Sequence, residues 1–336
     1  MLFCNIETSG ELRCRLCPRS CLIPGGKFGA CGVRGSKNGV GLLPFYGHIT
    51  AMASDPIEKK PLYHFRPGSA ILSIGFAGCN LRCPFCQNWH ISQSTDVPGR
   101  HMKPNDIISA ALREESMSIA YTYSEPLVHA EFLLDCMSLA HEHGIANVLV
   151  SNGCVNREAA RKILSLTDAA NIDLKCFSRE NYAQLLGGDL DTVLEFIRLG
   201  VDMGVHTEIT TLVVPGLNDS EEELDACTAF VASLGAISTA YVPWHLSAYH
   251  PEYRWNAKAT DPALLLHTAE RARKKIPFVY TGNIAAGEYN DTICPGCASV
   301  LVRRRGYTSD ISGLALPVHN GRFYTCKKCN AQLIRY

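Results

Sequence analysis

Runs of apolar residues long enough for strands recur through the middle of this chain, and stretches with helical spacing of apolar positions lie between them. Strands are expected at 71–76, 119–122, 147–150, 169–174, 207–214, 239–242 and 278–281. Helices are expected at 106–116, 127–143, 157–166, 190–203, 220–234 and 262–274; within 127–143, Leu133, Met137 and Ala140 share one face. Such alternation makes successive strands run parallel, because each helix returns the chain to the end it left. A closed or partly open β/α barrel and an open doubly wound sheet both satisfy it. No GxGxxG follows the first strand to favour a dinucleotide-binding sheet.

Polar residues stand where these strands end, which is where barrel enzymes carry their chemistry. Ser124-Glu125-Pro126 follows the second strand, Ser151-Asn152-Gly153 the third, and Asp173-Leu174-Lys175 sits at the fourth. Glu208 and Thr210 lie along the fifth, and His245 follows the sixth. Opening on one face, these sets would form a polar mouth large enough for a cofactor and the target atom of a substrate.

Lys+Arg and Asp+Glu both total 32, so no whole-molecule field argues for nucleic acid or a membrane surface as partner. Residues 1–12 carry two acidic side chains and no basic run ahead of an apolar one, and no apolar stretch approaches the length that spans a bilayer. A cytoplasmic protein is expected. Disulfides are scarce there, so the 16 cysteines need another explanation, and metal ligation is the usual one.

Three spaced sets account for most of them. Cys79, Cys83 and Cys86 form CxxxCxxC directly after the first strand. A structural zinc site takes four protein ligands, whereas three thiolates on a [4Fe-4S] cubane leave one iron free to bind a small molecule. Cys14, Cys17, Cys21 and Cys31 form a closed set of four among turn-forming glycines, and either zinc or a second iron-sulfur cluster fits it. Cys294-Pro295-Gly296-Cys297 and Cys326-Lys327-Lys328-Cys329 are paired knuckles of a zinc-ribbon or rubredoxin-like kind. Zinc there would make a structural or docking module, and iron an electron relay. The seven Arg and Lys against two Asp over 291–336 would offset the charge of four thiolates. Among the other cysteines, Cys136 and Cys227 read as helix core, while Cys154 and Cys176 lie just past strand ends, near the mouth.

The loop Gly78-Cys79-Asn80-Leu81-Arg82-Cys83-Pro84-Phe85-Cys86-Gln87, with an aromatic residue before its last cysteine, resembles the signature of the radical S-adenosylmethionine (radical SAM) superfamily. Together with the N-terminal cysteines, the segment from Pro56 to Phe65 and Cys86-Gln87-Asn88-Trp89, the chain is similar to the radical SAM enzyme of the AmmeMemoRadiSam system. That group is related to pyruvate formate-lyase (glycyl radical enzyme) activating enzymes. The resemblance implies a partial (β/α)6 TIM-like barrel over 46–290, a cysteine-rich metal-binding cap over 1–45 and a zinc-ribbon or rubredoxin-like module over 291–336.

It also implies roles. Cys79, Cys83 and Cys86 would hold the [4Fe-4S] cluster, whose open iron is chelated by the amino and carboxylate groups of SAM, with Phe85 beside it. Tyr123, Ser124 and Glu125 occupy the place of the family's GGE-type motif, which holds the SAM amino end. Asp173 and Lys175 match a DxK pattern flanking the methionine moiety, with a strand-end ion pair as the alternative. Asn152 and His245 match positions facing the nucleoside. The implied chemistry is reductive cleavage of SAM to a 5′-deoxyadenosyl radical that abstracts a hydrogen atom, fed by an electron donor such as flavodoxin or ferredoxin. Two targets are open: a glycine of a partner protein, or a small molecule, peptide or RNA modified together with a Memo-like partner.

Overall fold

The computed structural model describes residues 1–237, 241–285, 287–317 and 321–336. Its centre is one sheet of eight strands: β1 (Ala51–Pro56), β2 (Ala70–Gly75), β3 (Ser118–Thr122), β4 (Ala146–Ser151), β5 (Ala169–Asp173), β6 (His206–Val213), β7 (Trp244–Ala248) and β8 (Val279–Gly282). They lie side by side in chain order. β2 to β8 are parallel, while β1 runs antiparallel to β2, with Ala51 opposite Gly75. Six helices carry the crossovers: α1 (Pro104–Arg113), α2 (Ala130–Glu142), α3 (Arg157–Leu164), α4 (Leu190–Asp202), α5 (Glu221–Leu234) and α6 (Pro262–Ala272). Sequential order distinguishes the two sheets the sequence left open. A doubly wound sheet reverses direction partway, whereas steps all taken in one direction place every right-handed crossover on the same face, as in a barrel. β1 and β8 are the two edges, so the wall stays open between them.

Two elements depart from expectation. The strand expected at 239–242 starts at Thr239 and includes Ala240, both outside the described residues, and Val242 is in no strand. The strand forms instead at Trp244–Ala248, where buried Trp244, Leu246 and Ala248 alternate with His245 and Ser247, so no continuous apolar run marks it. β1, in a region read as turns, consists of small and polar residues that pair at an edge rather than filling a core. The helix expected over 127–143 begins as a 3-10 turn, Pro126–His129, capped by the Glu125 side chain, before α2 proper.

The inner face is stoppered at one end. After β1 the chain folds inward, and Ile57, Leu62 and Phe65 pack against Ile71, Ala120, Val148 and Ala169. Each of the larger of these side chains contributes about 1.5–3 kcal/mol by leaving water. Buried Glu208 of β6 ties this plug in place by accepting hydrogen bonds from the backbone N–H of Tyr63 (3.0 Å) and His64 (2.7 Å). Filling this end leaves the cavity at the other, beside the C-terminal ends of the strands.

The termini pack at different places. At the N-terminus, Cys4–Ile6, Leu12–Cys14 and Leu22–Ile23 form a small sheet. Buried Arg34 anchors it with a bidentate bond to Glu131 of α2 (2.7 and 3.0 Å). At the C-terminus, two three-stranded sheets share a core of Cys294, Leu301, Val302, Leu314, Tyr324, Cys326 and Ile334. Among the described residues no helix is long and apolar enough to cross a membrane.

Candidate active site at the cysteine loop

The cysteine loop leaves β2 and is held from four sides. Gly78 donates to the Ile91 carbonyl (2.8 Å), Arg82 N–H to Leu186 (2.7 Å), and Arg254 N–H, beyond β7, to Pro84 (2.9 Å). Trp89 stacks on Tyr253 at 5.3 Å and donates to Glu252 at 2.9 Å. The fourth side is the N-terminal cap. Gly78 has φ +79°, and a Cβ there would lie 2.5 Å from the Cys31 carbonyl oxygen, so only glycine lets cap and loop approach this closely.

The three thiols open on a cavity of about 240 Å3, together with Phe85, Thr122, Tyr123, Ser124, Glu125, Asn152, Asp173 and Lys175. Seven of the eight residues the sequence proposed for the cofactor line it. Lys175 Nζ lies 2.8 Å from Asp173 Oδ2, so the strand-end ion pair exists, and it sits in the cavity wall. Burial opposes the lysine charge, but Asp173 and the thiols of Cys83 and Cys86 hold its pKa above the ordinary value. Burial pushes the Cys79 thiol well up and Cys83 up to about 12, the latter against the pull of Lys175. Buried thiols of this kind ionise when a metal supplies the compensating charge.

Glu125 is fully buried, and both its oxygens are occupied by the protein. Leu127 N–H and Ser151 Oγ donate to one, and Asn152 N–H to the other, at 2.7–3.0 Å. It therefore positions Asn152, whose amide reaches Asn80 Oδ1 (3.0 Å) and Cys79 Sγ (3.6 Å). Burial still raises the Glu125 pKa to about 7 against these donors. Ser124 Oγ differs, being buried with no hydrogen-bond partner among the described residues. Tyr123, at φ +74°, donates its hydroxyl to Asp55 beneath the ring-stacked Lys60 ammonium.

His245 is not brought to this cavity. Its Nε2 lies 2.7 Å from Glu208 Oε2, and His206 Nε2 lies 2.9 Å from the other carboxylate oxygen. His245 faces a second cavity of about 660 Å3 at the β7–β8 edge, with Tyr63, Ser247, Arg304, Arg305 and Tyr307. Lys59 borders both cavities.

The two terminal cysteine sets differ in geometry. The thiols of Cys294, Cys297, Cys326 and Cys329 lie within 4.8 Å of one another, a ready four-sulfur site. Cys14, Cys17, Cys21 and Cys31 converge more loosely, near enough for the charges of the other three to raise the Cys17 pKa, which burial takes up to about 11. Cys4, absent from the sequence-proposed set, pairs across strands with Cys14, and its thiol hydrogen bond brings Cys14 down to about 6. Cys136, Cys154, Cys176 and Cys227 are buried.

Sequence reasoning also passed over Arg19, Lys59, Lys60 and Ser92. Ser92 Oγ lies 3.1 Å from Cys86 Sγ, and Arg19 Nε donates to the Asn80 carbonyl at 2.7 Å. Lys59 and Lys60 fall in the Pro56–Phe65 segment but nothing there assigns them to the site, and only the fold brings all four here.

Residues 73–226 match the Radical SAM superfamily. Over 331 residues, covering 96% of this chain and 95% of the relative, the chain is 37% identical to the uncharacterized protein MJ0808 of Methanocaldococcus jannaschii. It is 26% identical over 202 residues to the pyruvate formate-lyase 1-activating enzyme of Escherichia coli K12, covering 58% of this chain and 80% of that enzyme. Among solved structures, SuiB of Streptococcus suis bound to S-adenosylmethionine superposes with a TM-score of 0.51 at 15% identity, over 68% of this chain and 53% of SuiB. At that identity the likeness is one of fold.

Proposed function

Because this chain belongs to the radical SAM superfamily, we propose that its cysteine-loop cavity binds a [4Fe-4S] cluster and SAM and directs hydrogen abstraction from a substrate. The observation that carries the reading is one of donor chemistry. Three soft thiols line the cavity, no fourth thiol among the described residues does, and with them stand a Ser124 hydroxyl unpartnered among those residues and the Lys175 ammonium. That set fits a cluster with one open iron and a ligand carrying both an amino and a carboxylate group.

When bound, the cluster and SAM supply a reducing electron and, after cleavage, a 5′-deoxyadenosyl radical. The chain's residues do the rest. Cys79, Cys83 and Cys86 would hold the cluster, and Lys175 would pair with the SAM carboxylate while Asp173 keeps it charged. Ser124 would accept from the SAM amino group. Glu125 acts one step removed by fixing Asn152 against Cys79 and Asn80. Buried Phe85 and Leu81 keep water from the thiols. In this reading 1–45 is a metal-binding cap, 46–290 the β/α body and 291–336 a metal-binding module, with zinc or iron in the terminal sets.

For the target, similarity to activating enzymes supports abstraction from a glycine of a partner protein. The second cavity supports the other reading, a small molecule, peptide or RNA modified alongside a Memo-like protein. Arg304, Arg305 and Tyr307, which wall that cavity, lie outside the matched 73–226 segment. In this reading His245, which lines the second cavity, would face the target.

Electron paramagnetic resonance of the reduced, reconstituted protein tests the core reading. A cluster signal that shifts on adding SAM, with 5′-deoxyadenosine released, supports it; a signal indifferent to saturating SAM refutes it. Deuterium transfer into 5′-deoxyadenosine from labelled glycyl peptide or labelled small molecule separates the two targets.

A further inference from the structure

Two cysteine sets flank the body, and among the described residues the N-terminal one touches the cysteine loop. The Cys31 carbonyl abuts Gly78, and Arg19, two residues from Cys17, donates to Asn80, so each contact falls one residue from Cys79. Asn156, beyond β4, donates its backbone N–H to Leu16 (2.9 Å) and its side chain to the Arg15 carbonyl (2.7 Å). The buried Cys154 feels the charge of Cys17, and its carbonyl accepts from Asn80 Nδ2 at 2.7 Å. The C-terminal module docks elsewhere, on the plug and on loops that precede strands. Arg335 N–H bonds the His64 carbonyl (2.8 Å), its guanidinium reaches Gly204 before β6 (2.8 Å), and Arg304 bonds the Tyr63 carbonyl (2.8 Å).

Spacing separates the sets as well. Zn–S bonds of about 2.3 Å put tetrahedral sulfurs roughly 3.8 Å apart, and the C-terminal thiols, within 4.8 Å of one another, are already near that arrangement. Among the described residues, neither Cys79, Cys83 and Cys86 nor the N-terminal four gather so tightly. A cubane holds its thiolates at separate corners, so looser convergence suits it. Backbone donors match too. Ala30 N–H reaches Cys21 Sγ at 3.4 Å, and Leu16, Arg19 and Val33 present theirs to Cys14, Cys17 and Cys31, as Leu81 does to Cys79 at 3.3 Å.

Resting on the radical SAM reading, we propose that Cys14, Cys17, Cys21 and Cys31 hold a second iron-sulfur cluster that passes electrons to the cluster on Cys79, Cys83 and Cys86. A low-potential one-electron carrier protein reduces the cap cluster by one electron and is itself oxidised by one. That electron moves on to the SAM-binding cluster, returning the cap cluster to its oxidised state; no bond forms or breaks and no proton moves. The cap's surface suits an acidic carrier. Over residues 1–45 six basic side chains (Arg13, Arg15, Arg19, Lys27, Arg34, Lys37) face two acidic ones (Glu7, Glu11), and Arg15, Lys27 and Lys37 are exposed. Under this assignment the C-terminal set is structural.

Two variants of the full chain, reconstituted anaerobically with iron and sulfide, test it. With Cys79→Ala, Cys83→Ala and Cys86→Ala combined, about four irons per chain should remain, in a reducible cluster whose resonance signal ignores SAM. Zinc or no metal at the cap in that variant overturns the proposal. With Cys17→Ala and Cys21→Ala combined, the SAM-sensitive signal should persist, while the ratio of ferredoxin-driven to titanium(III)-driven SAM cleavage falls at least tenfold. An unchanged ratio also overturns it. If the double variant fails to fold, the iron content of the triple variant decides alone. A wild-type protein with no SAM-sensitive signal would instead defeat the radical SAM reading, whatever the cap holds.

Discussion

The Lys175 ammonium stands 2.8 Å from Asp173 Oδ2 in the wall of a cavity shared with three cysteine thiols. A lysine held charged there, on a part-buried strand end, is placed to meet a carboxylate. Lys175→Ala should therefore weaken SAM binding by about 10- to 100-fold, the range for losing a charge-assisted hydrogen bond of about 1.5–3 kcal/mol. Thermal stability should change far less. Titration of the reduced cluster with SAM, alongside a melting curve, checks both; equal affinity would leave the ion pair a purely structural feature.

Cys83→Ala and Cys136→Ala should part company. The first removes one of three cavity thiols and should abolish 5′-deoxyadenosine formation. The second, inside α2 and fully buried, should cost about 1 kcal/mol of packing and keep the cluster. Iron analysis and product chromatography on the two variants give the comparison.

Gly78→Ala should loosen the cap from the cysteine loop. A left-handed residue other than glycine costs about 1–2 kcal/mol by backbone strain alone, and here the new methyl would also meet the Cys31 carbonyl. Gly144→Ala is the matched control, with φ +70° and nothing within 4 Å of its Cβ. The Gly78 variant should melt lower than the control and hold less iron.

Acid should destabilise the fold through its buried histidines, against a smaller opposing contribution from Glu125, which burial raises to about 7 so that the folded chain takes up that proton first. Burial depresses the His64 pKa to about 3, from 6.5 in the unfolded chain. Between those values the unfolded chain binds a proton that the folded chain refuses, so the His64 contribution is whole above pH 6.5 and drains away as pH falls toward 3. Below about 4.5, Glu208 adds to the loss: despite burial, its hydrogen bonds from His206 and His245 hold its pKa well below the ordinary value. Urea midpoints at pH 7 and pH 5 should differ in the wild type and differ less in His64→Phe.

Stripping metal from the C-terminal set should open that module alone. Its core is small and two of its own cysteines lie within it, so a chelator or Cys326→Ala should expose Arg303 to Lys328 to trypsin. The body should resist digestion under the same conditions. Cleavage sites mapped by mass spectrometry give the answer.

Much of the site was readable before the fold because cluster chemistry demands local spacing. CxxxCxxC must be contiguous, and Asp173 and Lys175 sit two apart on one strand end, so both survive as patterns in the sequence. What escaped depended on distant segments meeting. Arg19 reaches Asn80 across 61 positions, and Cys4 is significant only because strand pairing sets it against Cys14. His245 is subtler: its position at a strand end was legible, but the strand order that carries it past Glu208 to the second cavity was not. The β7 strand was misplaced for a related reason, since its inward side chains are polar.

The partners of the cap imply an order of assembly. Arg19, Arg34 and Arg15 bind Asn80, Glu131 and Asn156, so segments made first must wait for ones made 61, 97 and 141 residues later. Domains tend to settle as they emerge during synthesis, but this cap has no finished seat until β2, α2 and β4 are in place. Iron and sulfide delivered to the nascent chain would meet scattered thiols. Loading of the cysteines thus belongs after the sheet has formed, making the β/α body the mould in which both ends of an electron path are cast.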